Sequence, residues 1–399
     1  MTRRVLAAAL AVTALVAGGC SDDGYVAPTP VERTEIADSG IAGATVSTLQ
    51  DALADPAAAA ALGADDDAAS LLAALARNVA QLRLSDVTLR YVTETGRTSG
   101  SDSWDGLVAL TWRVSGFDEA SSRAEVPFTF TDGGRKIAAI GGETGRLPLW
   151  LTGPVVVRRS AGVLVLATGA AADADRFARR AQRAVTAARG VLGGDERLVV
   201  EVPADPAQLG RALDADQATY AAIAAVTAPV DGTRVAGSPV HVFVNRSVYD
   251  ALDPVAAQVV MTHEAVHAVT GAVLAQGAPL WLVEGFADYV ALRDVDLPVS
   301  RTAAQVIAQV KREGVPERLP AESDFDPAAS HLGTVYEAAW LLCVILAEHR
   351  DEAALVAFYR SVLGGTKVAS ALRASFGWSE ADLTAAWRSR LASLAGVPE

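Results

Sequence analysis

Two histidines four residues apart with a glutamate next to the first, His263, Glu264 and His267, spell H-E-x-x-H within the stretch Asp253 to Leu292. On a helix, side chains at that spacing lie on one face a turn apart, so both imidazoles reach a single ion. Glu264, rotated about 100° from His263, reaches a water beside that ion without ligating it, the position wanted for a general base. A catalytic zinc site takes three protein donors and keeps one position open. Glu284 is the candidate third donor, and Asp288 follows one helical turn later, placed to accept the free ring N–H of a ligand histidine.

These groups need two helices to hold them. Asp253 suits an N-cap and Pro254 the first helical position, while Gly277 and Pro279 are expected to stop the run. LWLVEGFADYVAL then supplies the second helix, carrying Glu284 and Asp288. His263 and His267 stand in an otherwise apolar helix, where unpaired imidazoles are costly, so a metal explains them better than a core role does.

H-E-x-x-H followed by W-L-V-E-G-F-A-D-Y resembles the gluzincin metallopeptidases, particularly their peptidase MA-like branch. The resemblance implies a thermolysin-like domain with Zn2+ held by His263, His267 and Glu284, water activated by Glu264, and Asp288 as partner of a ligand histidine. It implies a peptide or protein substrate. In gluzincins the strand ahead of the zinc helix borders the cleft and pairs with extended substrate, so PVHVFVN makes Val240, Val242 and Asn245 the expected substrate edge. Aminopeptidase relatives carry a glutamate in a G-x-M-E-N-like segment here, and A-G-S-P-V-H-V-F-V-N has none, which favours an endopeptidase. Downstream, V-Y-E-A-A-W-L-L resembles the Y-E-x-G-A helix that bears their catalytic tyrosine, without its glycine. Tyr336 is therefore the expected donor to a tetrahedral oxyanion, with His331 as the alternative.

The chain opens on MTRRVLAAALAVTALVAGGC, two arginines before a short apolar run and small residues ending at a cysteine, the pattern of an export signal over 1–20. The A-G-G-C ending resembles a bacterial lipobox, implying cleavage before Cys20 and acylation of its thiol, palmitate included. Residues 21–40, with Pro28 and Pro30 and no apolar period, suit a flexible tether. The expected location is the extracytoplasmic face of the cell membrane, held by lipid. A net charge of −13, from 34 Lys+Arg against 47 Asp+Glu, argues against nucleic acid and against charge-driven binding to anionic lipid. The other cysteine, Cys343 in AAWLLCVIL, suits a buried small hydrophobe.

The 399 residues are enough for two domains with their own cores. We expect an α+β fold: a small α+β domain over 41–169, faintly similar to the NTF2-like cone fold, then the gluzincin-like peptidase domain over 170–399 with a mostly helical lower lobe. Asp65, Asp66 and Asp67 suit the start of a helix better than a calcium loop, lacking the spaced donors and central glycine of one. Trp104, Trp112, Phe128, Phe130 and Trp150 fall in strands, where aromatics line a ligand cavity less often than they fill a core. The function expected is a membrane-anchored zinc endopeptidase. The alternative is a catalytically inactive gluzincin-fold lipoprotein serving as a binding module in the cell envelope.

Overall fold

The computed structural model describes residues 38–98, 103–326 and 331–398. The expected signal peptide, Cys20 and nearly all of the tether lie outside the described residues. Helices α1 (Ser39–Asp51), α2 (Pro56–Ala60) and α3 (Asp66–Leu82) precede an antiparallel sheet of β1 (Leu84–Thr98), β2 (Trp104–Val114), β3 (Ser122–Thr131) and β4 (Lys136–Ile140), in that spatial order. Asp65 caps α3 by accepting from Ala68 N at 2.8 Å, and Asp66 and Asp67 stand in its first turn, where carboxylates favour the helix dipole. Strand β2 alternates, turning Trp104, Val108, Leu110 and Trp112 onto α1 and α3. Phe128, Phe130 and Trp150 join the same core, so these aromatics fill it. Gly106 keeps its place on that face because a Cβ there would collide with the Tyr91 ring.

A second sheet is built from β5 (Val156–Arg159), β6 (Val163–Ala167), β7 (Leu198–Val202), β8 (Ala225–Pro229) and β9 (Val240–Val244), in the order β5-β6-β7-β9-β8. Strands β6, β7 and β9 run parallel, and β5 and β8 close the two edges antiparallel. Residues 41–169, expected as one N-terminal domain, thus give their last two strands to this sheet. Helices α4 (Ala171–Leu192) and α5 (Pro206–Leu213) connect its strands. Val163, Val165 and Ala167 point into the core shared with α4, and Leu164 and Leu166 into the core of the first sheet. With both faces covered, the parallel strands β6, β7 and β9 are almost wholly apolar, as parallel sheets require.

Two charged residues break that rule on the face opposite α4, Glu201 of β7 and His241 of β9. His241 Nδ1 lies 2.8 Å from Glu201 Oε1 and Nε2 lies 3.0 Å from Asp118 Oδ1, in the turn after β2. Burial lowers the pKa of His241, but Asp118 and Glu201 outweigh it and push the imidazole up to about 9. Both ring nitrogens therefore carry hydrogens and donate, and one buried cation ties the two sheets together.

The remainder is helical: α6 (Arg246–Tyr249), α7 (Pro254–Thr270), α8 (Leu280–Leu292), α9 (Val299–Thr302), α10 (Ala304–Glu313), α11 (Leu332–His349), α12 (Glu352–Leu363), α13 (Val368–Phe376) and α14 (Glu380–Ala395). Together with the two sheets this makes a mixed α+β fold, 54% helical and 18% strand among the described residues. Helix α7 is sandwiched, burying Ala257, Met261 and Ala265 under the second sheet and Val266 in the helical lobe. It ends earlier than the sequence suggests. Gly271, at φ 64°, takes the left-handed cap position six residues before Gly277. Cys343 is fully buried in α11, and that burial pushes its thiol pKa up.

Candidate metal centre

The centre starts with the cap of α7. Asp253 accepts from Val255 N at 2.8 Å and Ala256 N at 3.0 Å, with Pro254 in the first turn, an arrangement that stabilises a helix start by about 1 kcal/mol. From that start the helix carries His263 and His267 onto one face, their ring centroids 4.6 Å apart and their planes at 84°. Pro279 opens α8, which presents Glu284 and Asp288 to the same point.

Three donor atoms converge there. His263 Nε2 lies 2.9 Å from His267 Nε2 and 3.1 Å from Glu284 Oε2, and His267 Nε2 lies 3.3 Å from that same oxygen. Zinc bonds of about 2.0–2.1 Å at tetrahedral angles separate neighbouring donors by about 3.3 Å, so one ion fits all three. No other group of three or more such side chains among the described residues meets in this way. The far nitrogen of His263 is spoken for, with Nδ1 2.7 Å from Asp288 Oδ1, which fixes the ring and aims Nε2 inward. His267 Nδ1 is buried without a hydrogen-bond partner.

The electrostatics follow from crowding. Burial disfavours the charge on His263, but Asp288 and Glu284 outweigh it and raise its pKa well above the usual imidazole range. Burial likewise opposes ionisation of Glu284, yet His267 and His263 hold its carboxyl far below the ordinary range. A cluster that keeps Glu284 ionised beside two imidazoles has the charge a divalent cation needs.

Tyr336 on α11 stands over the same point. Its ring centroid is 6.1 Å from that of His263. Burial, reinforced by Glu284, Asp288 and Glu264, drives its pKa far up, so the phenol stays protonated and available as a donor. The reach depends on Gly285, because a Cβ there would collide with the Ala339 carbonyl of α11. The glycine after Glu284 thus lets α8 and α11 pack closely, on the side where Tyr336 stands.

Glu264 is half-buried, with Oε2 held 2.7 Å from Thr227 Oγ1 of β8. Nothing in the sequence marks Thr227, because only the strand order brings β8 over α7. His331 is not part of this assembly. It is exposed at the start of α11 and lines a separate cavity of about 560 Å³ with Arg318, Asp324 and Trp387.

The expected substrate edge also needs correction. Strand β9 lies inside the sheet between β7 and β8, so Val240, Val242 and Asn245 offer no free edge. Val242 is fully buried, and Asn245 Nδ2 donates to Tyr220 O at 2.8 Å. The free edge beside α7 is β8. A strand's place in a sheet is a long-range choice that its own residues do not encode.

No protein-family model matches the chain, and no curated protein matches it.

Proposed function

We propose that the chain is a zinc-dependent peptidase of gluzincin type, acting as an endopeptidase on extended peptide. The observation that carries this is the convergence of His263, His267 and Glu284 at tetrahedral-edge distances, with the Glu264 carboxylate and the Tyr336 hydroxyl arranged around them. In such a site zinc acidifies a water and polarises a carbonyl. Asp288 holds His263 in the tautomer that presents Nε2. Glu264 takes the proton from the attacking water and returns it to the leaving amine. Tyr336 donates to the oxygen that becomes negative as the carbonyl turns tetrahedral. The free edge of β8, to which Ala225 and Thr227 turn the main-chain groups not used on β9, offers backbone groups for an extended substrate to pair with.

Export, lipidation at Cys20 and an extracytoplasmic, membrane-held location belong to the same proposal and rest on the leader sequence alone. The NTF2-like likeness of the first sheet is also proposed, and it is supported by α1 and α3 packing on one of its faces.

The test uses the chain from Ser21 onward, purified without chelators. One zinc per chain and hydrolysis of a peptide library are expected, with Glu264→Gln keeping the metal and losing at least about 10²-fold in kcat. Protein without metal, or full activity in Glu264→Gln, overturns the proposal. Metal bound with no hydrolysis of any peptide points to the inactive binding module.

A further inference from the structure

We infer that Thr227 is a positioning residue that holds the Glu264 carboxylate in its working orientation. This rests on the peptidase proposal and adds to it a residue from outside the H-E-x-x-H helix. Thr227 stands in the middle of the edge strand β8, paired with Val242 of β9, and its side chain is buried against α7. Its Oγ1 lies 2.7 Å from Glu264 Oε2 and 2.9 Å from the Glu264 main-chain oxygen.

Hydrogen counting settles the direction. A threonine hydroxyl has one hydrogen, and an ionised carboxylate has none, so Thr227 donates and Glu264 accepts. Of the two acceptors the carboxylate is nearer and charged, and charge-assisted bonds are roughly twice as strong as neutral ones. Among the described residues this is the sole hydrogen bond to the Glu264 side chain. The terminal torsion of a glutamate is otherwise broad and roughly two-fold, so an unheld carboxylate swings. With Oε2 occupied, Oε1 is the oxygen left to engage a water.

The holder is itself rigid. Threonine is stiff at χ1, and its backbone is fixed by the β8–β9 ladder. The same strand that carries Thr227 turns the main-chain groups of Ala225 and Thr227 to the free edge, on which the proposed substrate would pair. A single element thereby registers both the substrate and the base that acts on it, and geometry errors of about 1 Å at such a site cost rate.

The test compares Thr227→Val, which keeps the shape and loses the hydroxyl, with Thr227→Ser, which keeps the hydroxyl. Valine should lower kcat by between about tenfold and a hundredfold, the range for a hydrogen bond to a charged group, with KM and zinc content unchanged. Serine should recover most of it. Native kcat in the valine variant, or serine as slow as valine, overturns the inference; Thr227→Ala serves the same comparison if valine does not pack. A second readout needs no catalysis. In chelator-treated protein, the unfolding midpoints of Thr227→Val, Glu264→Ala and the double variant should be non-additive, because each single change removes the same bond. Additive midpoints overturn the contact. If the unmodified protein cleaves nothing, the peptidase proposal fails while the cycle still decides the Thr227–Glu264 bond.

Discussion

The protein builds two buried histidine–carboxylate clusters from the same kinds of residue, and their geometries are opposite. At His241 both ring nitrogens are taken, Nδ1 by Glu201 and Nε2 by Asp118, so the donors point away from one another and join two sheets. At His263 Nδ1 is taken by Asp288, while Nε2 turns inward with His267 Nε2 and Glu284 Oε2 onto one point. Residue type does not separate them. What separates them is whether the ligand-type atoms converge: a convergent set can close on a cation in place of protons, and a divergent set is satisfied by its own proton.

The most severe break of this comparison exchanges the effects of the two histidines. His267→Ala should abolish zinc binding and hydrolysis together while the chain still folds, read by elemental analysis and circular dichroism. His241→Leu should keep its zinc in the folded fraction but lose about 3–5 kcal/mol of stability, since Asp118 and Glu201 are left buried and uncompensated. Zinc lost from a His241→Leu protein of native stability would erase the distinction.

Smaller changes sharpen it. Tyr336→Phe should lower kcat by about 10²–10³ with little change in KM, whereas His331→Ala, outside the assembly, should leave kcat near native. Asp288→Asn should weaken zinc by about 10- to 100-fold without unfolding the protein, measured by competition with a chromophoric chelator.

The mildest test is pH. The pKa of His241 is raised from 6.5 to about 9 in the folded chain, so the stabilisation it provides is fully present below about 6.5 and is lost as pH rises through about 9. In the zinc-loaded protein, where His263 does not titrate, the unfolding midpoint should fall across that window. Asp118→Asn, which removes one carboxylate from the ring, should move the fall to lower pH. A midpoint flat from pH 7 to 10 would show that His241 is not charged.

Local periodicity made much of the candidate metal centre legible. The four-residue interval of His263 and His267, the cap at Asp253 and Pro254, and the E-x-x-x-D spacing of Glu284 and Asp288 are helix-scale patterns, and helices keep them wherever they are packed. The helical segment Leu280–Leu292 and the buried thiol of Cys343 were legible for the same reason. The stop of α7 was misplaced because two glycines competed, and only the backbone shows that Gly271 adopts the left-handed cap.

The sequence alone determined which donors were available and which pairs shared a helical face. Tertiary structure decided that β9 lies inside its sheet and β8 on the edge, that β5 and β6 belong to the second sheet, and that Thr227 meets Glu264 across 37 residues. It also decided that His241 meets Asp118 across 123 residues. The physical reason is range. A helix fixes its neighbours through bonds four residues apart, whereas strand order and buried charge pairing are settled by contacts between distant segments, which no local spacing records.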